Sequence, residues 1–455
     1  MAKATVQYVC SSCGAKAPQM LGRCPVCGEW GTYEEEIIQH SGPTAKRSFS
    51  ASGQPKRLQD VEATEEMRLD MHNGELNRVL GGGLVPGSLV LLGGEPGIGK
   101  STLALQVLMQ QGERKTFYAS GEESVRQLKL RAERLAGDAE NLYISSETSL
   151  ERILEQVKEI EPEIVVIDSI QTIGTEAIEA SIGSLSQVRE CAARILEFAK
   201  TRNIPFFIIG HINKEGSLAG PKVLEHIVDT VLQFEGDQQY MYRILRAQKN
   251  RFGSTSELGI YEMQQNGLRE VSNPSELLLS TAREGLSGIA IAAAVEGARP
   301  FLIEVQALVS SAAYGTPQRS STGFDGRRLN MLLAVLEKRV GFKLLQKDVF
   351  LNIAGGLRVQ DPAIDLAVLA AVLSSNMDIA LDAGTCLCGE VGLAGEIRPV
   401  NRIEQRIQEA QKLGFRRILI PAEQVERLNR SHKSGIEVVP VKKVTDAFRL
   451  LIKKD

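Results

Sequence analysis

Hydrophobic residues in this chain fall into short blocks of two different periods. Ser88-Leu89-Val90-Leu91-Leu92-Gly93, Lys115-Thr116-Phe117-Tyr118-Ala119-Ser120, Glu163-Ile164-Val165-Val166-Ile167-Asp168-Ser169 and Ile204-Pro205-Phe206-Phe207-Ile208-Ile209-Gly210 are near-continuous apolar runs of strand length. Such runs predict strands buried on both faces, as in a parallel sheet covered by helices. Thr102-Leu103-Ala104-Leu105-Gln106-Val107-Leu108 follows the first run and reads as the start of a helix. Strands alternating with helical stretches predict a doubly wound α/β core. Met241-Tyr242-Arg243-Ile244-Leu245-Arg246-Ala247 alternates in character and predicts a further strand.

The pattern changes on either side of this core. From His40 to Arg57 the chain turns to Ser, Gly, Pro and Ala with Lys46, Arg47, Lys56 and Arg57 scattered among them, and periodicity fades. That stretch reads as a linker carrying solvated charge. Asn273-Pro274 marks a second boundary. Beyond it, Phe301–Val309 and Val349–Ile353 read as strands, and Leu329–Lys338 and the segment from Ala363 to Ser374 as helices, an α+β pattern. The expected division is therefore 1–39, a linker at 40–57, the α/β core at 58–272 and a C-terminal domain at 273–455.

Composition narrows the class only a little. A chain of 455 residues has room for about three domains. Its charged fraction of 24% and hydrophobic fraction of 43% are ordinary for a soluble globular protein. No apolar run approaches the roughly 20 residues that span a bilayer, and no signal-peptide core is evident, so no membrane partner and a cytoplasmic location are expected. With a formal net charge of −3, contact with nucleic acid has to come from a local basic patch.

Candidate chemistry begins where the first strand ends. Gly94-Glu95-Pro96-Gly97-Ile98-Gly99-Lys100-Ser101 fits G-x-x-x-x-G-K-[ST], with a strand before it and a helix from Thr102 after it. Glycines let successive backbone N–H groups converge on phosphate oxygens, and the helix N-terminus adds partial positive charge. Lys100 is expected to reach the β/γ-phosphates of ATP, or the β-phosphate of ADP, and Ser101 to ligate Mg²⁺. A chance glycine turn is the competing reading, and both flanks argue against it. Glu122, after the next strand, is placed to orient and polarise an attacking water, although Glu122 and Glu123 also suit a helix N-terminus. Asp168 ends a buried strand and is expected to hold the Mg²⁺ hydration shell.

Four of the seven cysteines form two pairs, Cys10/Cys13 and Cys24/Cys27, each followed by glycine. Two such knuckles supply four soft ligands, for which Zn²⁺ is the default. A redox pair is the alternative, but no βαβ context accompanies it. A segment this small needs the metal for much of its folding free energy.

Phosphate loop, glutamate, Asp168 strand and His211 strand end occur in the order of a RecA-type ATPase core. The stretch His211 to His226, with Lys214 and Lys222, resembles the DNA-contacting loop of the bacterial RadA (Sms) proteins, and Lys249-Asn250-Arg251-Phe252-Gly253 matches their KNRFG signature. With the four-cysteine site, the resemblance to that family covers essentially the whole chain. It implies a DNA-dependent ATPase of recombinational repair that forms hexameric rings, moves along single-stranded and branched DNA, and drives branch migration beside a RecA-type recombinase. It also implies that Lys249 and Arg251 reach the nucleotide of a neighbouring subunit. Two cations two residues apart point the same way along a strand, yet on the residues alone a solvated basic edge fits equally well.

The C-terminal portion resembles the proteolytic domain of Lon proteases, with Gly389–Val400 matching a hairpin of that domain. The chemistry is missing: Asp361-Pro362-Ala363-Ile364-Asp365 stands where the nucleophilic serine would be, and Pro399-Val400-Asn401-Arg402-Ile403-Glu404 where the lysine would be. A Ser-Lys dyad needs a hydroxyl and an amine, so peptidase activity is excluded. Arg327 and Arg328, with Arg319, Lys338 and Arg339, make a basic region that either lines a DNA channel or is a solvated face. Two functions stay open: a translocating DNA motor, and an ATP-switched factor that binds DNA and loads a recombinase without translocating. A circadian-clock-type ATPase sharing this core is disfavoured by the zinc site and KNRFG.

Overall fold

Strands buried on both faces organise the larger part of the chain. The structure is a computed structural model that describes residues 4–10, 15–26, 28–39, 67–135, 139–211, 222–236, 242–280, 285–312, 317–344, 346–356, 359–428 and 435–452. The expected linker at 40–57 lies outside these residues. The chain divides into two compact units, Met1–Glu235 with Arg243–Glu270, and Gly236–Tyr242 with Val271–Asp455.

In the first unit, a small antiparallel sheet comprises β1 (Ala4–Cys10), β2 (Lys16–Ala17) and β3 (Tyr33–Gln39), with β1 paired to both others. The main sheet contains β4 (Leu89–Gly94), β5 (Thr116–Ser120), β6 (Leu142–Ser145), β7 (Ile164–Asp168), β8 (Phe206–His211) and β9 (Thr230–Glu235). These run parallel in the order β9-β4-β8-β7-β5-β6. β10 (Tyr242–Asn250), β11 (Leu258–Gln264) and β12 (Gly267–Glu270) extend it, with β10 antiparallel to β9 and β12 antiparallel to β11. β4, β5 and β7 are buried at every position, which explains their unbroken apolar sequence.

Helices cover both faces. Alternate residues of each strand face opposite sides, so Tyr118 and Val166 join one core cluster and Phe117, Val165 and Ile167 the other. The first cluster packs against α1 (Gly74–Leu80), α2 (Lys100–Met109) and Leu128 of α3 (Val125–Arg134). The second packs against α4 (Leu150–Ile160), α5 (Leu185–Arg202) and Leu224 of α6 (Lys222–Ile227). Parallel strands leave their C-terminal ends on one edge, and that edge carries the phosphate loop, Glu122 and Asp168. Among the described residues, no helix is long and apolar enough to cross a membrane.

The second unit has a mixed seven-stranded sheet built on β13 (Ile289–Glu296), β14 (Arg299–Ser311), β15 (Arg319–Thr322), β16 (Lys347–Ile353) and β17 (Thr385–Leu387). The expected hairpin is present as β18 (Glu390–Val391) and β19 (Ile397–Arg398), and β20 (Arg417–Pro421) and β21 (Glu437–Val441) complete the sheet edge. The helix Asp365–Met377 is buried from Asp365 through Ser374 and serves as the core of this unit. Ala363 is fully buried where a nucleophile would stand.

Two ion pairs flank Ala363. Arg406 Nη1 donates to Asp361 Oδ2 at 2.6 Å and to the Ala293 carbonyl at 2.6 Å. Arg328 Nε donates to Asp365 Oδ1 at 2.7 Å, its Nη2 bonds the other oxygen, and Glu390 lies 3.7 Å away. This corrects the expectation that Arg328 lines a DNA channel. Its guanidinium is committed to a carboxylate with no solvent exposure, and withdrawing it would strand that charge. Arg319, Arg327, Lys338 and Arg339 remain exposed. Arg328→Gln is expected to destabilise the second unit by about 3–5 kcal/mol. Urea unfolding checks this, and the double change Arg328→Met with Asp365→Leu should recover most of the loss.

Candidate nucleotide site

The loop after β4 is shaped by backbone approach. Gly94 and Gly99 have φ of 157° and 114°, and a Cβ on either would lie 2.8 Å from the Phe234 carbonyl oxygen or 2.9 Å from Met263 Cε. Ile98 is buried beneath the loop, while Glu95, Pro96 and Gly97 face outward. Gly99 is the N-cap of α2 and provides no side-chain cap, so the first-turn amides of Ser101 and Thr102 suit an external anion. This cradle fits a polyphosphate.

Lys100 is buried with its Nζ donating to the carbonyls of Gly94 at 2.8 Å and Glu95 at 2.9 Å. Burial pushes its ammonium down to about 8, against the opposing pull of Asp168, Glu122 and Glu95. Lysine, aspartate and glutamate thus share one electrostatic environment at the sheet edge.

The two adjacent glutamates have different partners. Ser120 Oγ accepts from the backbone N–H of both Glu122 (3.2 Å) and Glu123 (2.9 Å), which turns the chain sharply after β5. Glu122 Oε1 accepts from Ser169 Oγ at 2.6 Å, beside Asp168. Glu123 is paired with Arg131 on α3. Neither glutamate caps α3; Ser124 does so, in a capping box with Gln127.

Asp168 accepts from Tyr118 Oη at 2.5 Å through Oδ2, while its buried Oδ1 has no hydrogen-bond partner among the described residues. A buried, unpaired carboxylate oxygen next to a hydroxyl-bearing helix N-terminus fits a hydrated Mg²⁺, with Ser101 and Asp168 as the groups that would hold it. Tyr118 and Ser169 were not apparent as site residues in the sequence. Each is a hydroxyl beside an apolar run, and only cross-strand register brings Tyr118, opposite Val166, within reach of Asp168.

Other candidates divide. β10 runs on to Asn250, but its register shifts between Ala247 and Lys249, and Arg251 lies beyond its end. The shift precedes the pair, and Arg251 N still donates to the Asp229 carbonyl (3.2 Å), so the two-residue period holds from Lys249 to Arg251. Both cations converge on the segment between α6 and β9. Lys249 Nζ donates to the carbonyls of Glu225 (2.6 Å) and Val228 (2.8 Å), and Arg251 Nη1 to Asp229 Oδ1 (3.0 Å). Burial, with Arg251 nearby, holds the Lys249 ammonium below its usual range. Asp229, missed in the sequence, is buried and also accepts from the Leu89 N–H and from Lys200 Nζ. His211 ends β8 beside Gly94 of β4 and Lys222 opens α6, whereas Lys214 lies outside the described residues.

In the small sheet, Cys10 and Cys24 are buried with Ala17 and Tyr33; Cys13 and Cys27 lie outside the described residues. Cys10 N donates to the Ala15 carbonyl (2.9 Å), and Gly28 N to the Cys24 carbonyl (2.9 Å). Two buried cysteines in one small cluster suit a tetrahedral zinc site.

Fold and site together define a zinc-ribbon ATPase with a RecA-like core and a Lon-like C-terminal unit. Family models match accordingly: a rubredoxin metal binding domain at residues 8–35, an AAA domain at 54–217, and subunit ChlI of Mg-chelatase at 324–424. The chain is 50% identical over 455 residues to the DNA repair protein RadA of Bacillus subtilis, covering 99% of each chain. It is 48% identical to the DNA repair protein RadA of Listeria monocytogenes, covering 98% of each, and 48% identical to that of Streptococcus pyogenes, covering 99% of each. The chain belongs to the RadA family of DNA repair proteins.

Lys100 gives a pH test of the site. A phosphate restores the charge that burial disfavours, so nucleotide binding takes up protons near pH 8 and weakens as pH rises further. Calorimetry with ADP and EDTA at pH 8, in buffers of different ionisation enthalpy, should show uptake of about half a proton. Lys100→Arg should abolish it.

Proposed function

We propose that the protein is a DNA-dependent ATPase that works as a hexameric ring, translocates on single-stranded DNA and promotes branch migration of recombination intermediates beside a RecA-type recombinase. The reading follows the domain division 1–39, 58–272 and 273–455, with Cys10, Cys13, Cys24 and Cys27 holding Zn²⁺. The observation that carries it is the gathering of Lys100, Asp168 and the Ser169-held Glu122 at one edge of the sheet.

In this reading Lys100 leaves the loop carbonyls for the β/γ-phosphates, and residues Gly94 to Thr102 cradle them. Ser101 and Asp168 would hold Mg²⁺, which when bound neutralises phosphate charge. Glu122 accepts the proton of the attacking water, since Glu123 is engaged by Arg131. Lys249 and Arg251 act on the nucleotide of the adjacent subunit. They hold the C-terminal end of α6 in their own subunit, and α6 directly follows the 212–221 stretch. Their departure would therefore loosen the segment that carries Lys222, coupling nucleotide state to DNA grip through His211, Lys214 and Lys222, with Arg327 as a further phosphate contact.

Glu122→Gln is expected to lower DNA-stimulated kcat by about 10²–10⁴-fold with nucleotide affinity retained, and Glu123→Gln to have a much smaller effect. Lys249→Ala and Arg251→Ala should lower DNA-stimulated turnover while zinc content and folding stay intact; normal turnover would sink the finger assignment. Strand displacement on forked DNA, with Lys100→Ala as control, tests the motor. ATP-dependent binding without displacement would instead favour the loading factor.

A further inference from the structure

We propose that Tyr118 is a positioning residue for magnesium: its hydroxyl pins one oxygen of Asp168 and so aims the other at the metal. The inference rests on Asp168 as a magnesium-holding residue.

Tyr118 has no exposure and lies in the middle of β5, within a cluster of aliphatic side chains from β4, β7 and α2. A phenol there needs a hydrogen-bond partner. Its partner is the sole carboxylate among these elements that projects from the same face, two positions beyond Val166, its register mate on β7. The opposite strand end thus receives a donor from beneath, out of the core, where water does not compete.

The consequence for Asp168 is asymmetric. Oδ2 is bonded at 2.5 Å, whereas Oδ1, itself buried, has no hydrogen-bond partner among the described residues. A carboxylate free to rotate about its last bond would present either oxygen and would have to be ordered when metal binds. A carboxylate fixed at one oxygen presents the other without that entropic cost. Packing alone would be met by phenylalanine; the hydroxyl has a different task.

The test measures how far Mg²⁺ tightens binding of a fluorescent ADP to the full-length chain, as the ratio of Kd in EDTA to Kd in Mg²⁺. Tyr118→Phe should reduce that ratio about tenfold while the Kd in EDTA and the thermal melt stay close to the parent values. Tyr118→Met, which lacks the hydroxyl on a side chain of another shape, should reduce it similarly. Asp168→Asn should remove the tightening altogether. If Asp168→Asn removes it and Tyr118→Phe leaves it intact, the hydroxyl is only a satisfied core donor and the inference is overturned. A loss in Tyr118→Met alone would mark packing as the cause and overturn it too. If Asp168→Asn itself leaves the tightening intact, the magnesium reading of Asp168 falls, and this inference with it.

Discussion

Everything at the sheet edge depends on one constraint: charged groups must sit at the ends of strands that are buried on both faces. The middle of such a strand accepts no charged side chain, and the first position that can bear a charge is the last one. Asp168 occupies that position on β7, and Ser120, at the equivalent point on β5, turns the chain so that Glu122 follows at once. Lys100 comes from the helix that β4 feeds. Three charges are brought together because β5 and β7 end level with one another and β4, beside them through β8, runs on into the loop that leads to Lys100.

The same constraint governs the second unit with a different outcome. Asp361 and Asp365 bracket Ala363 at the start of a helix buried through Ser374, and each is matched by an arginine from elsewhere, Arg406 and Arg328. Buried charge here is neutralised in place, with little left over for chemistry. At the phosphate loop, by contrast, Lys100 rests on carbonyls that a phosphate can replace. One set of charges is closed and the other is open to a ligand.

How much of this was legible in the sequence follows from range. The parallel strands, the phosphate loop and the Asp168 position are local patterns, and the elements formed within one or two residues of the expected bounds. Misreadings came from partners distant in the chain. Arg328 looks like a surface cation until Asp365, 37 residues on, is folded against it. Lys249 and Arg251 keep their two-residue period because the bulge after Ala247 lies before them, yet the carbonyls and carboxylate they hold come from a segment 21–24 residues earlier. Glu122 and Glu123 are chemically identical neighbours, and only Ser169 and Arg131 tell them apart. Tyr118 sits unremarked within an apolar run because sequence alternation says which face it takes, not what ends the neighbouring strand.

Asp229 has two cationic partners, Arg251 and Lys200, and a backbone amide as well. A buried carboxylate with one counter-ion is a lock, since removing that ion leaves an uncompensated charge. With Lys200 in reserve on α5, Asp229 stays neutralised if Arg251 leaves. The joint behaves like a hinge with two pins, one of which can be drawn while the other keeps the leaf in place. A side chain that must serve elsewhere during a cycle can do so here without the core registering its absence.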